Sequence, residues 1–398
     1  MKLGLDSLLS NESLLGELKG RRVNVVAHPA SVTSDLEFSV AALRRRGVNV
    51  VSAFGPQHGL RGEKQDNMVE TEDFIDPEFG IPVFSLYGES RRPTDQAMKT
   101  FDVCLFDLQD VGTRIYTFLT TLRYLMEACA NHGKTLWILD RPNPAGRPIE
   151  GSLLRQGWES FVGAGPFPMR HGLTMGECAI WFKKYLRLDI ELKVVKMIDY
   201  RPSEGPFYGW PLELSWVNPS PNVATPHMPK CYPGTVMLEG TTLSEARGTT
   251  RPMEMVGASD LPMTEILQRM KALAPQWMEG ALIRPCYFEP TFHKHEKKLC
   301  AGFQIHIDHP KYKHEIFRPY RLIALFFKAI RLENPEYSLW RNFPYEYELD
   351  RLAIDLINGG PELRAWVDDP RASVDVFESS LQRDERSWEE EVQSLYLY

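Results

Sequence analysis

The stretch VNVVSAFGPQHGLRGE, Val48–Glu63, decides the fold. Its first half, Val48–Phe54, is an apolar run that does not alternate, the mark of a parallel strand covered on both faces. Its second half changes character at once. His58, Arg61 and Glu63 fall within six residues, among Gly55, Gly59 and Gly62. A plain turn needs only Gly, Pro, Asn or Asp. Three chemically active side chains on so pliable a backbone point to a use.

Outward from this stretch the same run recurs at Val23–Ala27, Val83–Leu86, Val103–Leu108 and Leu136–Leu139. Helical patterns lie between. Ser34-Asp35-Leu36-Glu37 offers an N-cap and capping box, Leu36, Val40 and Leu43 share a face, and Gly47 supplies the stop. Phe118 to Ala130 carries Leu119, Leu122, Leu125, Met126 and Cys129 at helical spacing. Strand and helix alternating at this interval predict an α/β fold, a Rossmann-like doubly wound parallel sheet. Residues 141–255 are rich in Pro, Gly and Trp, with one clear helix near Thr174–Leu186. After about residue 260 a helix over Met263–Ala274, a strand over Gly302–Ile307 and a helix over Tyr320–Ile330 predict a second, smaller α+β unit. We therefore expect a Rossmann-like domain over 1–258 that carries the site, and a domain over 259–398 that closes the cleft.

With 398 residues, two domains are the default. The net charge of −7 argues against partners that need a cationic footprint, so neither nucleic acid nor a membrane surface is expected. Six cysteines, at 104, 129, 178, 231, 286 and 300, form no C-x-x-C pair and read as thiols of a reducing compartment. In the first twenty residues Asp6, Asn11, Glu12 and Glu17 interrupt any apolar core, so no signal peptide is read. The expected location is cytoplasmic.

In an open α/β sheet the ligand sits outside the carboxyl ends of the strands. Every strand here runs into a polar cluster there: His28-Pro29-Ala30-Ser31, GPQHGLRGE, Tyr87-Gly88-Glu89-Ser90-Arg91, Gln109-Asp110-Val111-Gly112-Thr113-Arg114-Ile115-Tyr116, and Asp140-Arg141-Pro142-Asn143-Pro144. Five clusters on one rim make a site. No G-x-G-x-x-G or P-loop follows any strand, so no nucleotide cofactor is expected. Structural readings stand beside the functional ones. Asp140 with Arg141 also fits a salt bridge, Asn143 a turn, Asp110 a helix cap, and His28 an orienting group. His28, His58 and His171 lie on separate segments, and His293-x-His295 has no third ligand at hand, so no metal is expected.

Taken together, GPQHGLRGE, SLYGE, FDLQDVGTRIYTF, LDRPNPAGRPIEG, RHGLTMGE, WVNPSPNV, YPGTVMLEGTTLSEARGTTRPMEMVGA and FEPTF resemble a family of exo-acting β-N-acetylmuramidases. These glycosidases remove N-acetylmuramic acid from the non-reducing ends of peptidoglycan fragments. The resemblance covers nearly the whole chain. It implies a Rossmann-like N-terminal domain, a smaller C-terminal domain and a cleft between them. It also matches Glu63 to the family's catalytic glutamate. The family pattern has GPEHGFRGE, so Gln57 stands here in place of an acid.

Glycoside cleavage needs a proton donor and a group that stabilises an oxocarbenium-like centre. Glu63 is the expected donor, with His58 beside it. Asp110, then Glu89, then Asp140 are candidates for the second group, unless the substrate's own acetamide serves. Arg114, Arg170 and Arg251 are candidates for the lactyl carboxylate, which suits a bidentate guanidinium. Tyr116 is expected against the sugar, and His28, Arg61, Asn143, His171 and Asn222 complete the expected binding set. The alternative is a non-catalytic carbohydrate-binding or regulatory protein on the same scaffold.

Overall fold

The computed structural model describes residues 1–62, 64 and 68–398. Seven strands form the large sheet: β1 (Val23–Val26), β2 (Val50–Gly55), β3 (Phe74–Ile75), β4 (Pro82–Ser85), β5 (Val103–Phe106), β6 (Thr135–Leu139) and β7 (Leu192–Val195). Their order is β3-β4-β2-β1-β5-β6-β7, all parallel except β3. Setting the short antiparallel β3 aside, the parallel strands run third, second, first, fourth, fifth, sixth in chain order. That is the Rossmann arrangement, with its switch point between β1 and β5.

The unbroken apolar runs have a direct cause. Val23, Val25, Val103, Leu105, Trp137 and Leu139 point into one buried layer, where Leu5, Leu8, Val40 and Leu43 meet them. Val26, Cys104, Phe106, Leu136 and Ile138 point into the opposite layer, against Phe118, Leu122 and Phe182. Side chains alternate in direction along a strand, so a sheet buried on both faces needs an apolar residue at every position. Truncating a central residue such as Leu105 to Ala should cost about 2–5 kcal/mol.

Three further strands, β8 (Met255–Ala258), β9 (Leu282–Phe288) and β10 (Cys300–His306), form an antiparallel sheet in the order β8-β10-β9. The small sheet thus reaches back to residue 255. Helix Pro319–Glu333 is buried from Pro319 to Ile330. A helix buried on every side belongs in the middle of a core, and its charged Arg321 and Lys328 are satisfied there by Glu378, Glu385 and the Trp366 and Asp369 carbonyls. Its first turn is tied to the large unit, because the backbone N–H groups of Tyr320 and Arg321 donate to the buried Glu150 carboxylate at 3.2 and 3.0 Å. An anion at a helix N-terminus is stabilising there. Helix Val374–Val392 returns to the large unit, where the Trp388 indole N–H donates to the His171 carbonyl at 3.0 Å. One hydrophobic layer runs without a break from Phe106 through Phe167 and Trp388 to Phe303 and Phe326.

One expectation needs correcting. Ser34–Glu37 is not a capping box. Leu36 adopts φ 65°, and the Thr33 and Glu37 backbones close a turn on each other at 2.9 Å, so the helix starts only at Ser39. The helix predicted near Thr174 does carry such a box: Thr174 and Glu177 cap each other's backbone N–H groups.

Candidate active site

At the switch point the rim is sealed by its own side chains. The Gln109 backbone N–H donates to His28 Nε2 at 2.9 Å, and His28 Nδ1 meets the Pro219 carbonyl at 3.2 Å. Burial and the nearby Arg141 push the His28 pKa down to about 3, so the ring is neutral and serves as a linchpin between β1, β5 and the 219 segment. Arg141 forms a buried pair with Asp107 at 2.7 Å. Asp140 accepts hydrogen bonds from Thr174, Gly176 and the Tyr398 hydroxyl, each at 2.8 Å, and burial with the nearby Glu177 raises its pKa to about 6. The Asn143 side chain accepts from the Ala145 N–H at 2.9 Å and donates to the Leu173 carbonyl at 3.0 Å. Gly112, at φ +76°, packs so closely here that a β-carbon on it would lie 2.1 Å from Asn143 Oδ1. Asp110 accepts from the Gly112 N–H at 2.6 Å and sits 3.7 Å from His171 Nε2.

The cavity lies farther along, where the loop after β2 and the segment after β5 meet the second unit. Gln57, His58, Tyr116, Thr117, Ser220 and Asn222 line it from one side. Tyr232, Glu239, Arg247, Tyr345 and Glu346 line it from the other. It is small, about 40 Å³. His58 adopts φ 71°, and its Nδ1 meets the Lys64 carbonyl at 2.8 Å, which fixes the ring. Gln57 accepts from the Thr117 hydroxyl at 2.8 Å. The buried Tyr116 hydroxyl faces Ser220 and makes no hydrogen bond of normal geometry among the described residues.

Of the residues expected from sequence, the structure brings His58, Tyr116 and Asn222 to this cavity. Glu63 lies outside the described residues. His28, Asp110, Asp140, Asn143 and His171 pack beneath the rim, where they hold the loops together. Glu89 is exposed on the loop after β4. Arg61 turns to Asp76 and Glu78 at 2.7 and 3.0 Å. The guanidinium of Arg114 is fully buried and donates to the carbonyls of Ser152, Phe167, Ile357 and Asn358 at 2.7–2.9 Å, with burial holding its pKa down at about 10. Arg170 is likewise buried against the Ala145 carbonyl and His314. Arg251 pairs with Glu254 at 2.8 Å while its side chain stays 39% exposed.

The far wall was not read from the sequence. Glu239 accepts from Arg247 at 2.6 Å and from the Tyr345 hydroxyl at 2.7 Å. Glu346 accepts from the Tyr87 hydroxyl at 2.8 Å. A signal existed for the first pair, since Glu239 and Arg247 sit in the motif LEGTTLSEARGTT. None existed for Glu346, which follows no strand of the large sheet. A hollow of about 880 Å³ between Arg147, Arg318, Arg386 and Tyr396 is an open groove away from this chemistry, with as many acids as arginines along it.

The geometry agrees with what the chain is similar to. A protein described as peptidoglycan β-N-acetylmuramidase NamZ, from Bacillus subtilis (strain 168), is 39% identical over 315 residues, 77% of this chain and 72% of that protein. A crystal structure of a DUF1343 family protein from Bacteroides fragilis NCTC 9343 superposes with a TM-score of 0.82 at 28% identity, covering 100% of this chain and 98% of that one. A second from the same organism shares the fold, with a TM-score of 0.72 at 24% identity over 100% of this chain and 98% of the other. The family models for the N-terminal and C-terminal parts of exo-β-N-acetylmuramidase NamZ match residues 23–227 and 230–398. With both parts matched, and with a relative of this identity, the chain belongs to the NamZ exo-β-N-acetylmuramidase family of glycosidases.

Proposed function

We propose that this protein is an exo-acting glycosidase that releases N-acetylmuramic acid from the non-reducing end of peptidoglycan fragments. The observation that carries the reading is the cavity between the two units. It sets His58, Tyr116 and Asn222 opposite Glu239, Arg247 and Glu346, an assortment of acids and hydrogen-bonding groups suited to a sugar. Glu63, on the loop that delivers His58, supplies one of the two carboxyl groups that glycoside cleavage uses. Tyr116 and Asn222 hydrogen-bond the sugar. Of the three arginines considered for the lactyl carboxylate, Arg251 alone keeps a partly exposed side chain; it pairs with Glu254 and stands outside the cavity lining, and we assign the contact to it. All six thiols are free and buried, which supports a reducing, cytoplasmic setting. Among the described residues no helix is long and apolar enough to cross a membrane.

Incubation with para-nitrophenyl β-N-acetylmuramic acid tests the reading. Release of nitrophenol well above a Glu63→Gln control is the expected outcome. A wild-type protein that binds the sugar without releasing nitrophenol is a binding protein, and the proposal fails.

A further inference from the structure

The turn that carries Glu346 is built against backbone preference. Tyr345 and Glu348 pair across it, with the Glu348 N–H donating to the Tyr345 carbonyl at 3.0 Å. Its two central residues, Glu346 and Tyr347, take φ of 48° and 70°. Both central positions of such a turn favour Asn and Gly, because a left-handed backbone crowds any other side chain. A Glu-Tyr pair there is strained. Strain of this kind persists where the surroundings hold it, and it clusters at functional sites. What the strain achieves is visible, since it delivers the Glu346 carboxyl into the cavity.

The surroundings of that carboxyl differ from those of Glu239. Glu239 is in an ion pair with Arg247, a guanidinium that also serves Glu245 at 3.2 Å. Glu346 takes a hydrogen bond from the neutral Tyr87 hydroxyl, and its other polar neighbour is the neutral Gln57 amide. The titratable and charged groups around it are Tyr87, Arg91, Glu239, Arg247, Tyr232 and Tyr345, with His58 on the opposite wall. One cavity thus holds two carboxyl groups, one ion-paired with a guanidinium and one buried with only neutral hydrogen-bond donors, Arg91 acting on it through space alone. Environments that push two acids apart in this way assign their roles.

We propose that Glu346 is the proton donor of this site. The inference rests on the glycosidase reading and deepens it, leaving the other carboxyl role to Glu63. As the bond between the anomeric carbon and the glycosidic oxygen breaks, its electron pair goes to that oxygen. The oxygen takes the proton from Glu346 and leaves as an alcohol. Water then adds to the anomeric carbon and returns a proton to the Glu346 carboxylate, so the free sugar and the starting enzyme result. Burial, with Glu239 adding to it, raises the Glu346 pKa to about 7, which keeps the acid form populated at neutral pH.

The test compares two leaving groups. Nitrophenolate departs without a proton; the sugar alcohol of an unactivated N-acetylmuramic acid–N-acetylglucosamine disaccharide does not. Glu346→Gln should lower kcat on the disaccharide by about 10²–10⁴-fold. Nitrophenyl hydrolysis should fall clearly less, because nitrophenolate leaves without a proton and only the water step still calls on Glu346. In the wild type, disaccharide cleavage should fall as pH rises through the Glu346 titration, while nitrophenyl cleavage lacks that limb. Equal losses on both substrates, or no loss on either, overturn the proposal. Wild-type nitrophenyl hydrolysis above the Glu63→Gln control keeps the glycosidase reading intact in that event. If Glu346→Gln does not fold, Tyr87→Phe provides the second route. It removes a hydrogen bond that favours the carboxylate, so the disaccharide limb should move to higher pH. A limb that stays in place overturns the proposal.

Discussion

Two loops leave the same edge of the sheet and meet opposite fates. The loop after β6 directs its polar atoms inward: Asp140 is held by Thr174, Gly176 and Tyr398, and Asn143 by its own turn. The loop after β2 presents Gln57 and His58 to a cavity. Both are polar clusters at strand ends, so the cluster alone does not make a site. What separates them is the wall opposite. The second unit places Glu239, Arg247 and Glu346 across from the β2 loop, whereas Tyr398 and helix Met175–Tyr185 close over the β6 loop.

This contrast is most open to attack at Glu63. Glu63→Gln keeps the side chain's size and removes its carboxylate, so a fall of about 10²–10⁴ in kcat on the disaccharide is expected, with the melting temperature little changed. Wild-type turnover by this variant would remove the β2 loop from the chemistry. Next in size is Arg114→Ala. It strips four buried carbonyls of their donor and should destabilise by about 3 kcal/mol or more, read as a lower denaturation midpoint. Full stability with a raised KM would move Arg114 from scaffold to site.

A smaller effect is expected at Arg251. Arg251→Ala should raise KM for muramic acid substrates by about tenfold, with N-acetylglucosamine analogues, which lack the lactyl carboxylate, affected much less. Equal changes on both sugars would make Arg251 structural. The smallest effect belongs to Asp140. Its folded pKa of about 6 lies above the ordinary carboxylate value, so the folded protein binds the extra proton. This group's contribution therefore falls as pH rises from about 4 to 6. Relative to wild type, Asp140→Asn should gain stability across that window. A difference that is flat with pH would show that the carboxyl is not titrating in the rim.

How far the sequence carried this picture depended on how local each signal was. Five parallel strands were legible because burial on both faces forces an apolar residue at every step, which a single chain displays. The edge strand β7, Leu192–Val195, escaped because only Val195 is buried and Lys193 interrupts the run. Ser34 misled because a capping pattern is also a turn pattern, and Leu36 settled into the left-handed region. The family was legible from long ordered motifs. The near wall was legible in part, through His58, Tyr116 and Asn222. The far wall depends on chain folding back over more than a hundred residues, so no spacing rule finds Glu346. The arginines were hardest to read. A guanidinium bonded to carbonyls and one waiting for a ligand look the same in sequence, and only burial tells Arg114 from Arg251.

The hydrophobic layer that runs unbroken from the large sheet into helix Pro319–Glu333 and back through Trp388 has a calorimetric consequence. Two family segments meet in this chain, yet neither closes a core alone: the 230–398 half would uncover Trp388 and Tyr320, and the 23–227 half would uncover Phe167 and Trp181. Melting should therefore give one endotherm whose van't Hoff and calorimetric enthalpies agree. Severing the chain near residue 228 should yield fragments that fold only when mixed. The cavity that holds His58 and Glu346 then lies within a single cooperative unit rather than between two bodies free to swing apart.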